Sequence, residues 1–220
     1  MIHSLKVGRA NVFVIQEEKT IIVDTGSPKK SDFLLQSLYK LGVTKNSVSL
    51  ILLTHGHLDH FGNINEIRSV FNAPVAIHRE DVGALEKGQD SYLKPTRKRG
   101  ALIKPFLHGK IKGTSPDMLI DTTLSLKPFG VNGKVVHTPG HTDGSLSVIL
   151  KNKEMIIGDL LMGGHIGGFF LPRKPRHHYF AHNMDTAQKS IQRLLHEKPS
   201  KIYVGHGGPL TFRDIQKREF

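Results

Sequence analysis

From Thr54 to His60 the chain runs Thr-His-Gly-His-Leu-Asp-His, placing three histidines and an aspartate within six residues. Imidazole and carboxylate are zinc ligands, and a zinc site that keeps one coordination position open is a catalytic one. With 14 histidines and 11 aspartates in 220 residues, chance would produce H-x-H-x-D-H roughly three times in a thousand. A merely polar loop is therefore a poor explanation. The chain has no cysteine, so a disulfide framework or a thiolate metal site is excluded and only nitrogen and oxygen donors remain. Three more sites have the same character. They are His141 in His137-Thr138-Pro139-Gly140-His141-Thr142, Asp159 in Ile157-Gly158-Asp159, and His206 in Gly205-His206-Gly207. Glycine beside a ligand lets the backbone turn sharply and approach a metal.

The elements that must position these residues can be read from periodicity. The apolar run at 48–53 is a buried strand, too short to span a membrane, and the first histidine loop begins where it ends. Before it, residues 2–7, 11–16 and 20–23 read as strands, the last running into Asp24-Thr25-Gly26. The polar turn Glu17-Glu18-Lys19 predicts an antiparallel start. Ser31 reads as the N-cap of a helix carrying Phe33, Leu34, Leu38 and Leu41, and Ile64, Ile67 and Phe71 mark another that Pro74 stops. A strand at 75–77 and a helix at 79–86 follow. Strands resume at 123–126, 134–137, 146–150 and 155–157. Residues 163–180 read as a loop, 185–195 as a helix and 201–204 as the last strand. Each ligand thus follows a strand, so the ligands converge on one rim. Both halves are strands followed by a strand–helix pattern, which predicts two facing sheets with helices outside, in a single domain over 1–220.

The set His55-x-His57-x-Asp59-His60, His141, Asp159 and His206 resembles the metallo-β-lactamase superfamily in order and spacing across nearly the whole chain. The Asp24-Thr25-Gly26 turn is similar to that family's early aspartate motif. The resemblance implies an α/β fold, an αββα sandwich with a two-metal site between the sheets. His55, His57 and His141 would hold one metal, Asp59, His60 and His206 the other, with Asp159 bridging. The implied ions are two zinc, with iron or manganese as alternatives. Such a pair clamps a hydroxide that attacks a carbonyl, and Asp59 is placed to orient it and shuttle its proton.

Among family members, true β-lactamases generally lack the bridging aspartate. Glyoxalase II-like thioester hydrolases carry it and share a turn similar to residues 137–142, although only 14 residues follow His206 here, where they have a glutathione-binding region. Acyl-homoserine lactonases place a tyrosine where Met162 stands, and diiron flavoproteins place a glutamate where His57 stands. The expectation is a dinuclear zinc hydrolase of a thioester or ester. The alternatives are a mononuclear-iron persulfide dioxygenase and a tRNA-processing phosphodiesterase.

The remaining histidines have plainer readings. His78, His137 and His196 read as structural or surface residues. His165, His177, His178 and His182 lie in the loop after Asp159, where a surface position is the plainer reading. His165 and His182, with Tyr179, are the candidates for substrate contact. The formal net charge is +12. Seven positive charges, Lys94, Arg97, Lys98, Arg99, Lys104, Lys110 and Lys112, fall between Ser91 and Gly113 with no acid among them. This stretch reads as an insertion at about 90–120, either a solvated loop or a surface for an anionic partner. A small anionic substrate is expected rather than nucleic acid, because aromatic residues are sparse there. The N-terminus lacks a signal segment and no apolar run reaches membrane-helix length, so a soluble cytoplasmic protein is expected, with no membrane partner.

Overall fold

Side chains alternate along a strand, and here the alternation sorts the apolar residues into three layers. In the computed structural model, which describes residues 1–107 and 109–217, the first sheet holds β1 (Ile2–Val7), β2 (Ala10–Gln16), β3 (Thr20–Val23), β4 (Val48–Leu52), β5 (Val75–His78) and β6 (Met118–Ile120) side by side in chain order. The pairs among β1, β2 and β3 are antiparallel, and those from β3 to β6 are parallel. Five helices accompany it: α1 (Ser31–Lys40), α2 (Leu58–Phe61), α3 (Ile64–Phe71), α4 (Val82–Lys87) and α5 (Lys98–Ile103).

The second sheet contains β7 (Thr123–Ser125), β8 (Gly133–His137), β9 (Leu146–Leu150) and β10 (Glu154–Ile156). After a separate hairpin of β11 (Met162–His165) and β12 (Phe170–Arg176) come α6 (Met184–His196), β13 (Lys201–Tyr203) and α7 (Phe212–Gln216). The strand order is β13-β10-β9-β8-β7.

Phe13, Ile15, Leu50 and Leu52 point from the first sheet toward Val135, Val148 and Ile156 of the second. Their alternates Val12, Val14, Ile51 and Leu53 pack outward under Leu34, Leu38, Ile64 and Ile67 of α1 and α3. On the far side, Met155 and Ile202 are covered by Ala187, Ile191 and Leu194 of α6 and Ile215 of α7. Ala187, Ile191 and Leu194 repeat at helical spacing, and Asn183 caps the helix by accepting from Thr186 N. The result is the four-layer order helix, sheet, sheet, helix. Each fully buried Leu or Ile here contributes about 1.5–3 kcal/mol, so both faces of both sheets are held.

The stretch 163–180, expected as a loop, is mostly the β11–β12 hairpin. Its second strand is Phe-Leu-Pro-Arg-Lys-Pro-Arg and is mostly exposed, so it lacks the apolar alternation that marks a strand. Two short helices, α5 in the basic segment and α7 after the last loop, also lack a long periodic signature.

Candidate metal centre

The first histidine loop leaves β4 and turns into α2, and the loops bearing His141, Asp159 and His206 follow β8, β10 and β13. The two sheets therefore bring their strand ends to one rim. The linkage is direct, since Leu146 N donates to Thr54 O at 2.8 Å and Asn11 N to Gly205 O at 2.7 Å. Asp81, buried at the start of α4, accepts from Gly56 N at 2.8 Å and Thr142 Oγ1 at 2.6 Å. It joins the first histidine loop to the loop of His141.

At the centre is one oxygen. Asp159 Oδ2 lies 3.2 Å from His206 Nε2, 3.3 Å from His178 Nε2, 3.4 Å from His60 Nε2, 3.6 Å from His141 Nε2 and 3.7 Å from His55 Nε2. Three sets of potential ligand atoms converge there: His55, His57, His141 and Asp159; Asp59, His60 and His206; and Asp159, His178 and His206. The seven residues expected from the sequence are thus brought together. The eighth, His178, is read as a surface histidine from its sequence but stands in the site. No glycine flanks it and no predicted strand ends before it, so nothing local marks it.

The rings are aimed by their outer nitrogens. His60 Nδ1 meets Asp24 Oδ2 at 2.8 Å, His141 Nδ1 meets Phe180 O at 2.9 Å, and His206 Nδ1 meets Arg9 O at 2.9 Å. These partners only accept, so Nδ1 carries the proton and the Nε2 lone pair faces the centre. His55 Nδ1 lies 2.9 Å from Thr54 Oγ1, which itself donates to Asp24 Oδ2 at 2.8 Å. The Asp24 turn is therefore the support of the first loop.

The inner atoms test whether a metal fits. His55 Nε2, His57 Nε2, His60 Nε2 and Asp159 Oδ1 are buried and have no hydrogen-bond partner among the described residues. Burying such atoms unpaired is costly, and a cation satisfies nitrogen lone pairs and carboxylate oxygens together. Burial pushes His57 down to about 3 and holds His55 and His141 well below the ordinary histidine value. Burial opposes charge on His60 and His206, yet Asp159 with Asp24 at His60, and Asp159 with Asp59 at His206, together outweigh it and raise both. Positive charge is thus favoured beside Asp159, which is what a metal ion supplies. A β-carbon on Gly205 would lie 2.1 Å from Asp159 Oδ1 and 2.6 Å from His60 Cε1, so only glycine lets that turn close on the centre.

A model of the metallo-beta-lactamase superfamily matches residues 5–206. The chain belongs to that superfamily. Its relatives in the superfamily include the Bacillus subtilis protein named "Probable metallo-hydrolase YflN", 26% identical over 98% of this chain and 87% of that protein. "Probable metallo-hydrolase YqgX", also from Bacillus subtilis, is 30% identical over 89% of this chain and 83% of that one. Among solved structures, the B3 metallo-beta-lactamase BLEG-1 superposes with a TM-score of 0.73 at 23% identity, over 100% and 98% of the two chains. TTHA1623, solved in a di-iron-bound form, gives 0.72 at 22% identity over 99% and 98%. The metallo-beta-lactamase αββα fold is that of this chain.

In this superfamily member the centre opens on a cavity of about 1190 Å³ walled by Asp59, His178, His206, Met162 and the apolar Leu93, Leu102, Ile103 and Leu107. The basic segment supplies part of that wall. Tyr179 lines the cavity as well. His165 is not among the residues that wall this cavity and lies beside Arg176 and Arg99. His182 stands outside the cavity wall: its Nε2 is 2.7 Å from Tyr92 O and its Nδ1 3.1 Å from Asp143 Oδ2. His78 and His137 stack with centroids 3.8 Å apart, away from the centre.

Proposed function

We propose that this protein is a dinuclear metal-dependent hydrolase that cleaves a thioester or ester of a small molecule, in the manner of the glyoxalase II-like branch, with zinc as its metal. The observation that carries the reading is Asp159, whose Oδ2 lies 3.2–3.7 Å from five imidazole nitrogens. It sits between the His55, His57 and His141 set and the Asp59, His60 and His206 set, where a bridging carboxylate belongs. The relatives named as metallo-hydrolases support hydrolysis. The di-iron form of TTHA1623 supports two ions and makes iron the alternative to zinc. When bound, two such ions supply Lewis acidity at a carbonyl and a water acidic near neutral pH.

The chain's own residues divide the remaining work. Asp59, with its side chain 19% exposed on the cavity side, takes the proton of the attacking water and passes it to the leaving group. A thiolate needs little protonation to leave, so Asp59 suffices without another acid. His178, in the cavity wall with its Nε2 3.3 Å from Asp159 Oδ2, donates a hydrogen bond to the substrate oxygen as it becomes negative. Met162 is part of the cavity wall, at the position where the lactonases carry a tyrosine, and the phenol in that wall belongs to Tyr179.

A second reading, phosphodiester hydrolysis, is favoured by arginines of the basic segment beside the same cavity. Metal quantification on the purified protein, followed by kcat/KM on a glutathione thioester, a coenzyme A thioester, an acyl lactone and a phosphodiester, separates the two. Two zinc ions per chain and a thioester preference are expected. A phosphodiester preferred by about tenfold replaces the thioester reading. Asp159→Ala should lose metal and activity together, and retention of both removes the bridging role.

A further inference from the structure

Next to the metal centre lies a second cavity, of about 600 Å³, whose wall holds Arg97, Lys98, Arg99, His165 and Arg176 and no carboxylate. We infer that this cavity is an anion subsite that seats the phosphate group of a small-molecule substrate.

The cavity is built. Lys94–Thr96 runs alongside Tyr179–Ala181, with Thr96 N donating to Tyr179 O at 2.9 Å, Ala181 N to Lys94 O at 3.0 Å and Thr96 Oγ1 to His178 O at 2.9 Å. Gly100 brings α5 against Tyr179, since a β-carbon there would lie 2.4 Å from Tyr179 O. These contacts hold the arginines over the β11–β12 hairpin.

The charges in it are left unanswered. Arg176 Nη1 lies 2.7 Å from His165 Nε2, and Arg99 Nη1 lies 3.5 Å from His165 Nδ1. Guanidinium groups only donate, and a neutral imidazole accepts at one nitrogen only. One ring cannot satisfy both. Partial burial, then Arg176, Arg99 and Lys174, hold His165 below its ordinary value, so the ring stays neutral between them. Among the described residues, none of Arg97, Lys98, Arg99 and Arg176 makes an ion pair with a carboxylate. An oxyanion accepts from two arginine forks at once and relieves their repulsion.

The location connects the subsite to the centre. His178 and Tyr179 wall both cavities, and Arg99 lines both. A phosphate held by Arg99 and Arg176 leaves the rest of its molecule reaching past His178 toward Asp159. Only the identity of the bond cleaved there rests on the thioester reading.

The test is calorimetric titration of inorganic phosphate into the metal-loaded full-length protein. One saturable site is expected. Arg99→Gln with Arg176→Gln should weaken it by about tenfold or more, whereas Lys110→Ala with Lys112→Ala, outside the cavity, should leave it unchanged. Arg99→Lys with Arg176→Lys keeps the charge without the fork, should weaken binding less than the glutamine pair, and decides the matter if the glutamine protein loses metal or fold. Phosphate binding indifferent to the arginines, equal weakening by both pairs, or no binding would each overturn the subsite. So would a single-stranded RNA that outcompetes phosphate with a log–log salt slope steeper than about −2. Arginine-dependent phosphate binding without thioester hydrolysis keeps the subsite and removes the thioester reading. Thioester hydrolysis without phosphate binding does the reverse.

Discussion

Asp24 shows how one side chain supports the centre without entering it. It is fully buried and sits at φ +64°, a left-handed conformation that aspartate adopts more readily than branched residues. Its carboxylate accepts from Thr54 N at 2.7 Å, Thr54 Oγ1 at 2.8 Å and His60 Nδ1 at 2.8 Å. Asp24→Ala would bury three donors without partners, each costing about 1–3 kcal/mol and not strictly additive. Thermal unfolding should show a loss of about 3 kcal/mol or more, and metal analysis a reduced content, because His60 is no longer aimed. An alanine protein as stable as the parent would remove Asp24 from this role. Asp90 is a related case: it accepts from Leu58 N at 2.7 Å, and burial pushes its carboxyl up to about 6.

Each ligand loop is short because the sheet brings the chain to the rim and glycine turns it. The turn after β13 is the tightest. Asn11 of β2 donates through Nδ2 to Val204 O and Gly207 O, both at 2.8 Å, tying this turn to the first sheet. Gly205 within it faces Asp159 Oδ1 and His60 directly. Gly205→Ala should therefore displace Asp159 or His60 while leaving the sheets intact. Far-UV circular dichroism should stay at the parent level and metal stoichiometry should fall. Full stoichiometry in that variant would mean the turn yields elsewhere.

The centre gathers potential ligands from both halves of the molecule: His55, His57, Asp59 and His60 from the loop after β4, and His141, Asp159 and His206 from loops of the second sheet. A site assembled this way exists only in the folded state, so metal binding adds to folding stability. Free metal at a hundred times its dissociation constant adds about 2.7 kcal/mol. In a domain of this size that is a shift of about 5–10 °C. Chelation should lower the unfolding midpoint by that order, and readdition should restore it. A midpoint indifferent to chelator would place the ligands outside any bound ion.

The four layers and the seven candidate ligands that the fold brings together were legible in the amino-acid sequence because both are local signals. The apolar run at 48–53 and the helical spacing of Ile64, Ile67 and Phe71 each sit within one element, and each candidate-ligand loop carries glycine at a strand end. Asp24 was visible as a turn, but its partners are 30 and 36 residues away. The β11–β12 hairpin escaped the sequence because an exposed strand needs no apolar alternation. His178, Asp81 and the cavity of Arg99, His165 and Arg176 were decided by tertiary structure alone. Arg99 and His165 are 66 residues apart and Asp81 and Thr142 are 61 apart. Proximity over such separations comes from how the sheets face each other and where α5 docks, and no local pattern of residue types encodes it.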